Sequence, residues 1–170
     1  MCYLGIIMIK VRQLEESDIP LVQKYISDPS IGKMSCVPSP YPDDGALAWY
    51  KFVNSSISKG KALIYTIESN GNFAGIVSLN EISSSESRAN VDYWVRADLH
   101  GQGVGTRAVN EVIKAAGKIG IFNYFSSCLV RNIGSKKVLL NNGFIVDKTI
   151  KISDGKHEGE EMFLLSKVCT

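Results

Sequence analysis

The stretch best suited to chemistry is HGQGVGT, His100 to Thr106, which places three glycines in seven residues between a strand-like run, Ala89–Arg96, and a helix-like run, Thr106–Ile119. Glycine accepts positive φ and lets a ligand approach the main chain. A helix start presents unpaired N–H groups at the positive end of the macrodipole. Together they suit an anion, a phosphate above all. Spacing then narrows the choice. A P-loop needs Gly-Lys followed by Ser or Thr, whereas Gly105 here runs straight into Thr106. A dinucleotide fingerprint needs glycine at position 106 and an acidic residue about 20 positions on, and neither is present.

The elements that must hold this loop are legible as periodicities. Ile9–Leu14 alternates apolar and polar residues, and Ser17 or Asp18 with Pro20 then starts a helix that reaches about Ser27. Pro29, Pro38, Pro40 and Pro42 bar a long helix across 28–45, and Asp43–Asp44 starts a second helix through Ala46–Ile57. Ala62–Glu68 and Phe73–Asn80 read as strands joined at Asn70–Gly71, a pair suited to a tight hairpin turn. Ala89–Arg96 is a third antiparallel strand, with Asn90, Asp92 and Trp94 on one face and Val91, Tyr93 and Val95 on the other. After the glycines, Ala108, Val109, Val112, Ile113, Ala116 and Ile119 recur at helical spacing. Tyr124–Val130 is a strand and Ile133–Asn141 a short helix stopped by Gly143. Phe144–Ile152 and Glu160–Val168 are strands flanking the turn SDGKHEG. The expectation is an α+β domain with a mixed, mainly antiparallel sheet of about seven strands and about four helices.

Size and composition agree with one domain. The chain has 170 residues, 45% hydrophobic and 21% charged, enough for a single buried core. Its 19 basic and 17 acidic residues are interspersed, which leaves no electrostatic footprint for nucleic acid or a membrane surface. Cys2, Cys36, Cys128 and Cys169 show no C-x-x-C spacing, and with only His100 and His157 beside them no metal site is expected. The expected compartment is the reducing cytoplasm. Residues 1–7 read as a disordered N-terminal extension, with Met8 as an alternative start, and 8–170 as the domain.

VDYWVRADLHGQGVGTRAV, followed by RNIGSKKVLLNNGF, resembles the GNAT superfamily of acyl-CoA N-acyltransferases, and within it the ribosomal-protein N-acetyltransferase (RimJ/RimL-type) branch. The resemblance implies a three-layer fold and acetyl-CoA as co-substrate. It implies that Gly101, Gln102, Gly103, Val104, Gly105 and Thr106 cradle the pyrophosphate, and that the pantetheine arm lies along Trp94, Val95 and Arg96. The Val95 N–H would then face the developing oxyanion. His100 stands where the family prefers Arg, Gln or Trp. Asn132 caps the short helix and matches a position that bonds the cofactor arm, and Lys137 matches a frequent Arg. Leu139 occupies the place of the tyrosine acid found in many relatives; Ser135 is the substitute named as proton donor, and it stays open between that role and a helix-start residue bonded to the backbone. Asp92 and Glu81 are the carboxylates considered for the base. Asp92 stays open between base, anchor for a cationic substrate and solvent-facing charge.

The activity implied is N-acetylation of a primary amine, a protein N-terminus or a small amine, by a monomer or homodimer. Two alternatives stand beside it. One is a polyamine, aminoglycoside or amino-sugar acetyltransferase on the same fold. The other is a non-catalytic acyl-CoA-binding sensor.

Overall fold

A computed structural model describes residues 7–169. Seven strands form one sheet: β1 (Ile9–Gln13), β2 (Leu63–Ser69), β3 (Asn72–Ser83), β4 (Arg88–Val95), β5 (Asn123–Leu129), β6 (Ile145–Lys151) and β7 (Glu161–Val168). Their order is β1-β2-β3-β4-β5-β7-β6. Every neighbouring pair is antiparallel except β4 with β5, which runs parallel. The hairpin between β2 and β3 turns at Asn70 (φ 51°) and Gly71 (φ 79°), the paired positive φ values that its Asn-Gly sequence predicts.

Alternation along the strands gives the sheet two apolar faces, and a helical layer covers each. On one face, α4 (Val104–Gly117) and α5 (Ile133–Asn141) pack over Val77, Val91, Val95, Tyr124 and Leu165. On the other, α1 (Ile19–Ile26), α2 (Pro29–Lys33) and α3 (Gly45–Ser58) pack over Ile64, Phe73 and Ile76. Arg12 fastens β1 to the start of α1 with two bonds to Asp18 (2.7 and 2.8 Å). Burial alone would raise the Asp18 carboxyl, but the Arg12 bonds and the Thr66 hydroxyl hold it below the usual carboxylate range.

Two local expectations change. The segment after Ser27 holds a short helix, α2, because Pro29 sits at its first position, where a missing N–H costs nothing, and Asp28 caps it through Ser30 N (2.9 Å). Ile119 leaves the apolar stripe: α4 ends at Gly117, and Ile119 is 61% exposed. Of the extension read as 1–7, residues 1–6 lie outside the described residues, while the Ile7 carbonyl accepts from Arg107 (2.7 Å) and Met8 N donates to Asn70 (2.9 Å).

Candidate active site

The parallel neighbours β4 and β5 stay paired only at their first residues, Arg88↔Asn123, Ala89↔Tyr124 and Asn90↔Phe125. Beyond that the strands part into a wedge, and the Ser126 hydroxyl marks its apex by donating to the Val91 carbonyl (2.8 Å). Strand parity decides what faces the wedge. Arg96 N donates to Ala74 on β3 (2.8 Å), so Arg96 and Trp94 direct their main-chain groups at β3. Tyr93 and Val95 therefore turn their N–H groups toward the wedge, where they meet no acceptor among the described residues. This is a sheet edge inside a sheet, able to pair with an extended chain of amides.

The wedge opens at the glycine loop. Gly101 and Gly103 both hold φ 77°, and Gly103 is the N-cap of α4. The first intrahelical bond runs from Arg107 N to Gly103 O (3.1 Å), and no side chain caps this helix end. Four successive N–H groups, Gly103 to Thr106, thus point out of the helix start with no acidic residue in the first turn. Gly105 is buried, and a Cβ there would lie 3.4 Å from Val138 and 3.5 Å from Tyr93, so the loop is seated directly on α5 and β4. Uncapped donors leading into unpaired strand amides fit the pyrophosphate and pantetheine of an acyl-CoA.

Across the wedge, Asn132 caps α5 by accepting from Ser135 N (3.0 Å), and its Nδ2 donates to the Met34 carbonyl (3.1 Å). Ser135 Oγ lies 2.8 Å from the Tyr93 hydroxyl, which also donates to Ser135 O (3.2 Å). Burial raises the Tyr93 phenol well above its ordinary value, against the lowering effect of the Ser135 bond. Burial likewise raises the neighbouring Cys128 thiol. Lys136 lies over the Phe163 ring at 4.3 Å, whereas Lys137 is exposed.

The other sequence candidates divide. Asp92 is exposed on β4, on the face opposite Tyr93, and accepts from Asn80 (2.7 Å) and Asn90 (3.3 Å). Glu81 stands apart: it sits at the irregularity of β3 beyond Asn80↔Asn90, at the end of β4 away from the glycine loop, with φ 51°. The Arg96 guanidinium is taken by Asp98, the Phe73 carbonyl and the Tyr25 ring, so Arg96 serves as a brace of the loop. Trp94 packs in the opposite core with Phe73. His100 turns back onto β4, its Nε2 donating to the Val95 carbonyl (2.8 Å), which leaves Nδ1 as its free ring atom.

The sequence reading passed over the Tyr93 hydroxyl, whose one signal was its place two residues from Val95 on the inward face. It gave Arg131, Lys156 and Glu160 no named role and weighed His157 only as a metal ligand; in the structure Arg131 pairs with Glu160 (2.5 Å) and His157 with the same carboxylate (2.9 Å).

The chain belongs to the GNAT family: residues 9–145 match the model of the acetyltransferase (GNAT) domain. It is 30% identical over 94 residues to the ribosomal-protein-serine acetyltransferase of Escherichia coli (strain K12), a match that covers 55% of this chain and about half, 52%, of that protein. In fold it is similar to the RimL ribosomal L7/L12 alpha-N-protein acetyltransferase in complex with coenzyme A (TM-score 0.86, 18% identity, 97% of this chain and 96% of that one). It is also similar to the microcin C7 self immunity acetyltransferase MccE in complex with acetyl-CoA and AMP (TM-score 0.84, 23% identity, 95% of this chain and 92% of that one).

Proposed function

We propose that the protein is an acetyl-CoA-dependent N-acetyltransferase that passes an acetyl group to a primary amine by direct attack on the thioester, with a protein N-terminal amine as its acceptor. The supporting observation is the continuous donor track from the Tyr93 and Val95 N–H groups to those of Gly103–Thr106. The track holds a thioester arm and its pyrophosphate in one line, and converts attack by a bound amine into a positioned, effectively unimolecular step. Val95 N–H supports the charge that develops on the thioester oxygen. Ser135, its hydroxyl 2.8 Å from that of Tyr93, hydrogen-bonds the departing thiolate and relays a solvent proton to it, so that the thiol leaves neutral and the serine ends protonated. Asp92, held by two amide side chains, takes the ammonium or its proton on the opposite face. A protein N-terminus as acceptor is supported by the relative that acts on ribosomal-protein serine.

The test follows free thiol while the protein and acetyl-CoA meet peptides with N-terminal serine, polyamines, aminoglycosides and amino sugars. Peptide-dependent release is expected. Release with a small amine only moves the acceptor to that class, and acetyl-CoA binding with no release on any amine leaves a non-catalytic sensor. No helix among the described residues is long and apolar enough to cross a membrane.

A further inference from the structure

Residues 32–37, the end of α2 and the turn after it, are tied down from far away in the chain. The Arg131 guanidinium donates to Lys33 O (2.9 Å) and Asn132 Nδ2 to Met34 O (3.1 Å). His157 Nε2 lies 2.8 Å from Ser35 O, and Lys156 Nζ donates to Val37 O (2.6 Å) and to Gly32 O. Five main-chain carbonyls are thus gathered by four side chains, three of them basic. Glu160 fixes the set from behind, bonded to Arg131 and His157 together. His157 itself is only 7% exposed.

Locally the segment is held by Met34 N and the Ser35 hydroxyl, both donating to Ile31 O, and by Val37 N donating to Ser35 Oγ. The 131–132 and 156–160 connections add the long-range partners, taking up the carbonyls of Lys33, Met34, Ser35 and Val37. Its place gives the order a use. Ile31 of α2 is part of the core on the face opposite α4 and α5, and Asn132 joins Met34 to the cap of the helix that carries Ser135. A thioester arm that enters beside α4 leaves the other face of the wedge for the amine, and residues 32–37 form the rim there.

Resting on the acetyl-transfer reading above, we propose that Arg131, Lys156, His157 and Glu160 are positioning residues for the acceptor: they hold the 32–37 rim at the mouth of the wedge, and acceptor affinity depends on them while acetyl-CoA affinity does not. None of the four side chains has a hydrogen-bond partner within residues 93–106, which is why the two affinities separate.

The experiment uses the full chain, acetyl-CoA and a peptide with N-terminal serine. Lys156→Met and His157→Gln should each raise the peptide KM by about fivefold or more, with kcat and acetyl-CoA Kd within about twofold of wild type, and Lys156→Arg should restore KM. A peptide KM unchanged in both variants overturns the proposal, as does a parallel loss of acetyl-CoA affinity, which marks general damage to the fold. Amide exchange at Met34 and Ser35 reads the rim without turnover: exchange about tenfold faster in Lys156→Met is expected, and unchanged exchange overturns the clamp even in an active enzyme. Wild-type protein that releases thiol with no amine refutes acetyl transfer instead, and the exchange data still judge the clamp.

Discussion

Ser135→Ala separates a structural hydroxyl from a chemical one. The bond that caps α5 comes from the Ser135 main-chain N–H and survives the substitution. Tyr93 keeps its second partner, the Ser135 carbonyl at 3.2 Å. The folding cost is therefore limited to one neutral hydrogen bond, about 0.5–1.5 kcal/mol, or a few degrees in Tm for a chain of this size. Loss of a positioned proton donor costs much more, about 10²–10⁴ in rate, equivalent to roughly 2.7–5.4 kcal/mol at the barrier. Tyr93→Phe leaves the Ser135 hydroxyl in place but unoriented, and one lost bond of that kind predicts a fall of only about 3- to 10-fold. Burial keeps the phenol neutral throughout an ordinary assay range, so Tyr93 contributes no limb to the pH profile. The assay is kcat from thiol release at saturating acetyl-CoA, with Kd from calorimetry. A Ser135→Ala enzyme with kcat within about twofold of wild type would refute the role of Ser135.

Three further outcomes follow. Gly75→Ala places a Cβ onto the Trp94 carbonyl oxygen, main chain against main chain, so β3 and β4 must separate; a loss of about 3 kcal/mol or more is expected, and an unchanged melting temperature would contradict it. Asp92→Asn should lower kcat/KM for the acceptor by more than about tenfold while acetyl-CoA binding holds, and an unchanged kcat/KM dismisses Asp92. Arg131, then His157, pull Glu160 down to about 2, so its folded value lies below the ordinary 4.5; the stability it contributes is complete above 4.5 and lost as pH falls from there through about 2. Acid titration of Met34 and Ser35 amide exchange should show that loss, and Glu160→Gln should flatten it in this window.

The sheet was legible because its signals are local. Asn70–Gly71 announces its turn within two residues, and the face alternation of Ala89–Arg96 survives folding, with Val91 and Val95 buried and Asp92 exposed. The glycine loop was legible for the same reason, since its donors are consecutive residues at one helix start. The wedge was not, because nothing in YWV or SSC says that ladder pairing stops after Asn90↔Phe125. The bond that His100 makes was not legible either: its Nε2 donates to the carbonyl of Val95, five residues earlier, and nothing local in HGQG announces that partner. Pro29 was read as a breaker, although at the first position of a helix behind Asp28 it is a starter.

The two halves of the proposed reaction are built from different kinds of contact. The acetyl-CoA half lies within Tyr93–Thr106 and depends on main-chain geometry that many side chains would leave intact. The acceptor half joins residues 32–37 to 131–132 and 156–160, about a hundred positions away, through named side chains whose partners are carbonyls. Substitutions on the rim should therefore change which amine binds before they change the thioester platform, because separated groups with no shared partner act independently. Asn132 limits that independence. Its Oδ1 holds the helix start that carries Ser135 while its Nδ2 holds the rim, so the geometry of the proton donor and that of the acceptor mouth meet in one side chain.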